Sequence, residues 1–350
     1  MSKLNTFAID LGNGFVKAKS EKRLIVAPSS IAREKDLGKS SIDAYNNSGS
    51  SVKIFESVLK KGIKYVWGEG IKNVVNSTNK LLSSYTFERR YSSDNYKLLV
   101  DFVLGDLASD YKEKHLEVRV ITGMPSDELE QKDRKELEEV FKGSHVVKIN
   151  DDEKIIEVVE VKVLEQPMGS LFHQLIDEDL EMSVDFTKRI AFYDFGAGTT
   201  ILDVFENGKR DEDESITETQ GMNDIYKTVR RLAQNKHGIK KLTVYEIEEA
   251  FKNNFNIRVG SKVFNCEREA KEAINDFLDT VMSTFQGVLN SRDYIDKIYI
   301  TGGGLNIVKD ELGRFFTEDE NVTYIADSQT AGVEGFYKFG QVMNKWEEVK

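Results

Sequence analysis

Apolar positions in this chain fall in short runs closed by glycine, and the stretches between them carry helical spacing. Residues 6–10 and 15–19 flank Gly12-Asn13-Gly14 and predict the two strands of a hairpin. Residues 23–26 supply a candidate third strand. The polar segment 31–50, rich in Ser, Asn and Lys, predicts loops. Strands are expected at 52–59 and 64–67 around a turn at Lys61-Gly62. Leu98, Leu99, Phe102, Val103 and Leu107 recur at helical spacing and predict a helix over 96–111. A strand at 116–121 ends in Thr122-Gly123-Met124-Pro125. Ser126 can then cap a charged helix, with Glu128 and Leu129 in its first turns, that runs to Phe141 and stops at Gly143. Residues 155–163 read as a strand, and Gln166-Pro167-Met168-Gly169 starts a helix over 170–176.

The second half restarts the pattern. Residues 190–194 and 200–205 pair as strands, and Asn207-Gly208 is a hairpin turn. The acidic run 211–214 reads as solvated surface. Helices are expected over 221–233, 244–251 and 268–289. The last carries Ala273, Ile274, Phe277, Leu278, Val281 and Met282 on one stripe. An apolar strand at 297–300 meets Gly302-Gly303-Gly304, followed by a helix over 307–316, a strand over 322–325 and a final helix over 329–345. The repeated object is a strand–turn–strand unit, not a short-period array.

With 350 residues there is enough chain for two cores. Charged residues make up 31% and hydrophobic residues 39%, as in an ordinary globular protein. A formal net charge of -11 argues against a broad nucleic-acid surface, which needs clustered Lys and Arg. It leaves room for contact with DNA through a basic adaptor. The single cysteine, Cys266, lies in a polar stretch and reads as a bystander thiol. Four histidines without close pairing make a zinc site improbable. No apolar run approaches the ~20 residues that span a bilayer, and residues 1–5 lack a signal peptide's apolar stretch. The expected setting is the cytoplasm, with no membrane partner.

The candidate chemistry lies at the glycine turns. Asp10-Leu11-Gly12-Asn13-Gly14 and Asp194-Phe195-Gly196-Ala197-Gly198-Thr199-Thr200 each place a carboxylate at a strand end before a glycine-rich turn. Glycines there let the backbone approach a phosphate and aim N–H groups at it. A carboxylate repels phosphate but suits the water shell of Mg²⁺, which bridges phosphate oxygens. Asp194 could also orient an attacking water, and Lys17 could reach back to the phosphates. Taken singly, an Asp-x-Gly turn is most often a plain hairpin, and Lys17 a solvated strand residue. Two such turns in one context, with Gly302-Gly303-Gly304 as a third, shift the balance. Neither a Walker-type phosphate loop nor a Gly-x-Gly-x-x-Gly helix entry is present.

The order of these motifs resembles that of the superfamily of actin, heat-shock chaperone ATPases and sugar kinases. Residues 7–17 resemble its first phosphate loop, 192–203 the second and 300–305 its adenosine motif. Gln166-Pro-Met-Gly-Ser170 resembles the first connecting helix. Within the superfamily the chain is most similar to the plasmid-segregation branch, the ParM-like actins. The features that carry this are the Asp-Leu-Gly-Asn-Gly opening, Val66-Trp-Gly-Glu69, Thr122-Gly-Met-Pro125 and Gln329-Thr-Ala-Gly-Val-Glu-Gly335.

The resemblance implies an α/β actin-like (ribonuclease H-like) fold of two similar domains, each a mixed sheet flanked by helices, with a nucleotide cleft between them. The expected domains are 1–165, joined by the last helix at 336–350, and 166–335. The implied ligands are ATP or ADP, with GTP as the alternative, and Mg²⁺ held through water by Asp10 and Asp194. Gly12, Asn13, Gly14, Lys17, Gly196, Ala197, Gly198 and Thr199 would line the phosphates. Gly302, Gly303, Gly304 and Leu305 would approach the ribose and α-phosphate, and Gly221, Asn223 and Lys227 would complete the ribose and base side. Gln166 would position the hydrolytic water, with Glu165 as the alternative, and Asp194 would complete the catalytic set.

The function implied is an ATPase whose hydrolysis is coupled to head-to-tail self-assembly into a filament. Such a filament moves plasmid DNA through a DNA-binding adaptor and makes no direct nucleic-acid contact. The alternatives are a small-molecule, sugar-type kinase and a non-polymerising regulatory ATPase of the same fold. A sugar kinase would need a further acid near the γ-phosphate, and no convincing motif supplies one.

Overall fold

The computed structural model describes residues 4–37, 52–75, 78–84, 90–126, 131–183, 188–317 and 321–348. The expected loops at 38–50 and the first turns of the charged helix, Glu128 and Leu129 included, lie outside the described residues. The chain divides into two compact units, Met1–Ser183 with Thr330–Lys350, and Val184–Gln329.

The first unit is built on strands β1 (Asn5–Leu11), β2 (Phe15–Lys19), β3 (Leu24–Pro28), β4 (Ser30–Arg33), β5 (Lys53–Ser57), β6 (Tyr65–Trp67), β7 (Leu82–Ser83), β8 (His115–Met124), β9 (Gly143–Ile149) and β10 (Asp152–Glu165). They form one sheet in the order β3-β2-β1-β8-β10-β9-β5-β6-β4-β7. β2 runs antiparallel to both β1 and β3, whereas β8 runs parallel to β1 and β10. A short helix α1 (Ile71–Val74) follows β6. Helices α2 (Asp94–Ala108), α3 (Gln131–Phe141), α4 (Gln166–Leu175) and the C-terminal α9 (Ala331–Glu348) complete the unit.

β1 is apolar on both faces because both are covered. Phe7 and Ile9 join the core that contains Leu99, Phe102 and Val103 of α2. Ala8, pointing the other way, packs with Ile121, Val333 and Phe336. Ser93 caps α2 by accepting a hydrogen bond from Tyr96 N at 3.3 Å. On the opposite face α9 lies very close to α4. A Cβ on Gly335 would stand 1.7 Å from the Gly169 carbonyl oxygen, so only glycine permits that spacing. Gly123 makes room in the same way for the Phe336 ring, whose nearest atom would lie 2.5 Å from a Cβ there. The Thr122-to-Pro125 motif thus has a packing task. Arg119, buried in β8, donates to Glu160 at 2.5 Å, Asn344 Oδ1 at 2.8 Å and Glu347 at 2.5 Å.

The second unit repeats the plan. Its main strands are β11 (Arg189–Phe195), β12 (Thr200–Glu206), β13 (Lys209–Glu218), β16 (Lys297–Thr301) and β17 (Val322–Tyr324). The order β13-β12-β11-β16-β17 reproduces β3-β2-β1-β8-β10 strand for strand, with the same antiparallel and parallel steps. Helices α5 (Met222–His237), α6 (Val244–Lys252), α7 (Glu267–Val288) and α8 (Leu305–Leu312) belong to this unit. The predicted α7 stripe from Ala273 to Met282 is buried in its core.

Several expectations are corrected. The run 211–214 is not simply solvated: it lies in β13, where Asp211 at 3.2 Å and Glu214 accept from Arg189, while Glu212 and Asp213 stay exposed. Cys266 keeps its expected bystander role, but it is buried and donates to Phe255 O at 3.2 Å. Burial, with help from nearby Glu269, pushes its thiol up to about 11, which keeps it unreactive. Strand β9 and the hairpin β14 (Asn256–Val259) and β15 (Lys262–Asn265) were not expected from the pattern. Among the described residues no helix is long and apolar enough to cross a membrane.

Candidate functional site

In the first unit Asp10 is the penultimate residue of β1, 6% exposed, and pairs across the hairpin with Lys17. Lys17 Nζ stands 2.9 Å from Asp10 Oδ2, so the lysine is tied to the carboxylate. Between them runs the turn Gly12-Asn13-Gly14. A Cβ on Gly12 would meet Phe15 O at 2.9 Å, which explains glycine there. The side-chain oxygen of Asn13 is buried and meets no hydrogen-bond donor among the described residues. Glu165 ends β10 beside Met124 of β8, and Gln166 opens α4 with Pro167 next to it. Ser126 Oγ lies 3.4 Å from Glu165 Oε2, whereas Gln166 has no side-chain partner among the described residues.

In the second unit Asp194 occupies the matching place, penultimate in β11. Its turn is closed by Gly196 N donating to Thr199 O at 2.9 Å. The start of α5 packs against this turn. Met222 N donates to Gly196 O at 3.1 Å and Asn223 N to Ala197 O at 2.9 Å. Gly221 approaches so closely that a Cβ would lie 2.8 Å from Ala197 and Gly198. Thr200 Oγ1 ties the next strand to Gln220 O at 2.9 Å.

The third glycine turn joins the same place. Gly302 adopts φ +99, and Gly304 N donates to Phe195 O at 2.8 Å. A Cβ on Gly304 would strike Met222 at 2.5 Å, while Gly303 stays open, with only Gln329 within 4 Å among the described residues. Leu305 is buried at the first turn of α8. Asp194, the 196–199 turn, Gly221, Asn223 and 302–305 are therefore gathered in one place. Lys227 stands apart from this packing: it is exposed and bonded to Asp224 Oδ1 of its own helix at 2.9 Å.

These turns could present N–H groups and hydroxyls to phosphate, with Thr199 beside Gly196. Among the described residues no three His, Cys, Asp or Glu side chains cluster as a direct metal site. The sequence reading missed Ser29, Arg90 and Ser328, all bonded to the glycine turns. They lie outside any motif, and no spacing rule points to them.

This fold, with the same five-strand plan in both units, is the actin fold. A family model for the N-terminal domain of actin-like proteins matches residues 8–169, and one for the C-terminal domain of the archaeal MreB-like actin homologue matches 192–314. The chain belongs to the actin-like proteins. It is similar to the apo pSK41 ParM protein, with 28% identity, TM-score 0.77 and coverage of 99% of this chain and 100% of that one. Ta0583, an archaeal actin homologue in complex with ADP, shares the fold at 14% identity and TM-score 0.76, over 97% of this chain and 99% of that one. So does a 15-stranded ParM filament from Clostridium botulinum, at 21% identity and TM-score 0.76, over 97% and 99%. A search of curated proteins found no match.

Proposed function

We propose that the chain is a ParM-like filament protein that binds ATP or ADP with Mg²⁺ and hydrolyses the triphosphate. Its filament moves plasmid DNA in the cytoplasm through a DNA-bound adaptor. The observation that carries the reading is the gathering of Asp194, the 196–199 turn, the start of α5 and Gly302–Gly304, with a matching Asp10 hairpin in the other unit.

In this reading Gly12, Asn13, Gly14, Gly196, Ala197, Gly198 and Thr199 bind the phosphates. Side-chain O and N of an amide are set by their partners, so the buried Asn13 amide can present Nδ2 to a phosphate oxygen. The carboxylate of each turn, Asp10 in one unit and Asp194 in the other, would hold a cation through its water shell. Bound Mg²⁺ supplies charge neutralisation at the β- and γ-phosphates. Gln166 orients the attacking water in preference to Glu165, whose carboxylate already faces Ser126. Gly221, Asn223 and Gly302–Leu305 serve the ribose side.

A triphosphate at a glycine turn makes contacts that a diphosphate cannot. That difference is what biases a conformational equilibrium. Head-to-tail assembly is a heterologous contact, which builds an open filament instead of a closed ring. Structures of related proteins include a filament and a non-polymerisable mutant of a ParM, which supports self-assembly. Sedimentation with ATP, ADP and no nucleotide tests the proposal. A pellet that requires triphosphate is expected. A chain that stays in the supernatant at every concentration is not a filament protein.

A further inference from the structure

The carbonyl oxygens of the first glycine turn are held from behind by two side chains. Arg90 donates to Leu11 O. Ser29 Oγ donates to Gly12 O at 2.5 Å, and Ser29 N to Gly14 O at 3.0 Å. Ser29 is only 3% exposed, and its own carbonyl accepts from both N and Oγ of Ser84 at 3.1 Å. The Arg90 guanidinium is steadied by aromatic rings, 5.7 Å from that of Tyr96 and 5.9 Å from that of Tyr91.

In a trans peptide the C=O and the following N–H point in opposite directions. Fixing the carbonyl of Leu11 therefore fixes the direction of Gly12 N–H, and fixing that of Gly12 fixes Asn13 N–H, each pointing away from its brace. The second unit reaches the same end by backbone alone, through Met222 N and Asn223 N on Gly196 O and Ala197 O. One turn is braced by a helix start, which any residue supplies. Its counterpart depends on a hydroxyl and a guanidinium.

We propose that Ser29 and Arg90 are positioning residues for phosphate binding at the first glycine turn. They act through the turn's carbonyls and do not touch the ligand. The inference rests on the nucleotide reading above and names residues outside every motif that supports it. Without the brace the turn samples conformations that cannot bind, and apparent affinity falls by the fraction of time spent in them.

The test measures binding of ATP and ADP, each with Mg²⁺, to the full chain by calorimetry. It compares the unmodified chain with Ser29→Ala, Ser29→Thr, Arg90→Ala and Arg90→Lys, and records melting temperatures without nucleotide. The expected result is a Kd about tenfold weaker for folded Ser29→Ala and Arg90→Ala, equal to ~1.4 kcal/mol. Ser29→Thr and Arg90→Lys, which keep a donor, should recover most of the loss. The hydrolysis KM should rise more than kcat falls. A purely structural role would lower the melting temperature and leave the Kd of the folded fraction unchanged, which overturns the proposal. If one alanine variant does not fold, the other decides on the same criterion. If the unmodified chain binds neither nucleotide, the functional reading falls and the brace with it. If it binds and the folded variants bind equally well, the brace alone is overturned.

Discussion

Asp194 and Gly302 share a space that admits nothing larger than hydrogen: a Cβ on Gly302 would stand 2.3 Å from Asp194 Oδ1 and 2.5 Å from Phe195 N and O. The φ of +99 at Gly302 adds backbone strain for any other residue. Gly302→Ala should cost about 3 kcal/mol or more, because two destabilising effects combine at one position. The expected outcome is a lower melting temperature and loss of nucleotide binding, read by thermal unfolding and calorimetry.

Asp194→Ala removes the carboxylate without the steric conflict. Phosphate release from ATP should fall by about a hundredfold or more, the scale of losing charge stabilisation at a cation. Undiminished phosphate release would take Asp194 out of the reaction.

The contact between α4 and α9 gives a prediction remote from the turns. Gly335→Ala would drive a methyl into the Gly169 carbonyl and His173 N. The helices must part, at about 3 kcal/mol or more for an overpacked site. Thermal melting should show the loss. Gly313→Ala is the control, since nothing among the described residues lies within 4 Å of a Cβ there.

Arg119 offers a different mechanism. Breaking a buried ion pair costs about 3–5 kcal/mol, discounted here because Glu347 is half exposed. Arg119→Ala should destabilise the first unit by about 3 kcal/mol, and Arg119→Met by less because it restores volume. Urea unfolding monitored by tryptophan fluorescence compares them, since Trp67 is buried in that unit.

His145 makes the first unit sensitive to pH. Its Nδ1 lies 2.7 Å from Asp101 Oδ1 and its Nε2 2.8 Å from Phe141 O. Both neighbours are acceptors, so the ring must be doubly protonated to satisfy them. Burial alone would lower its pKa, but the hydrogen bond and charge of Asp101 outweigh it, aided by Phe141 O and Glu157, and the pKa is raised above 6.5. Stability from this pair is complete below the unfolded value and is lost as pH rises through the folded one. Melting temperatures should therefore decline as pH rises above the ordinary histidine value of about 6.5 and through the raised folded one. His145→Ala should start lower and lack that component. An identical pH profile in both proteins would exclude His145 as the source.

The hairpins and long helices were legible because their signals are local. Asp10, Gly12 and Gly14, and Asp194, Gly196 and Gly198, announce strand ends and turns within a few residues, and α7 shows its stripe directly. The repeated strand plan followed from the repeated motif. Other elements were hidden because their reasons are distant. β9 is a strand because β10 and β5 flank it, not because of its own pattern. The acidic 211–214 run sits in a sheet because Arg189, far back in sequence, takes up its charge. Ser29 and Arg90 bond to main-chain oxygens, which any sequence provides, so no residue type at the turn calls for them. Lys17, expected to reach back to the phosphates, is bonded to Asp10 across the hairpin.

The first strand and the last helix meet at several points. Gly340 lies under Thr6, where a Cβ would come within 2.4 Å, and Asn344 Nδ2 donates to Leu4 O at 3.2 Å. This sets an order of events during synthesis. The second unit is one continuous stretch and can fold as soon as it leaves the ribosome. The first unit, which holds the Asp10 turn, waits for residues 330–350 to emerge. A nascent chain that has not reached residue 330 therefore carries one finished glycine turn and one unfinished one.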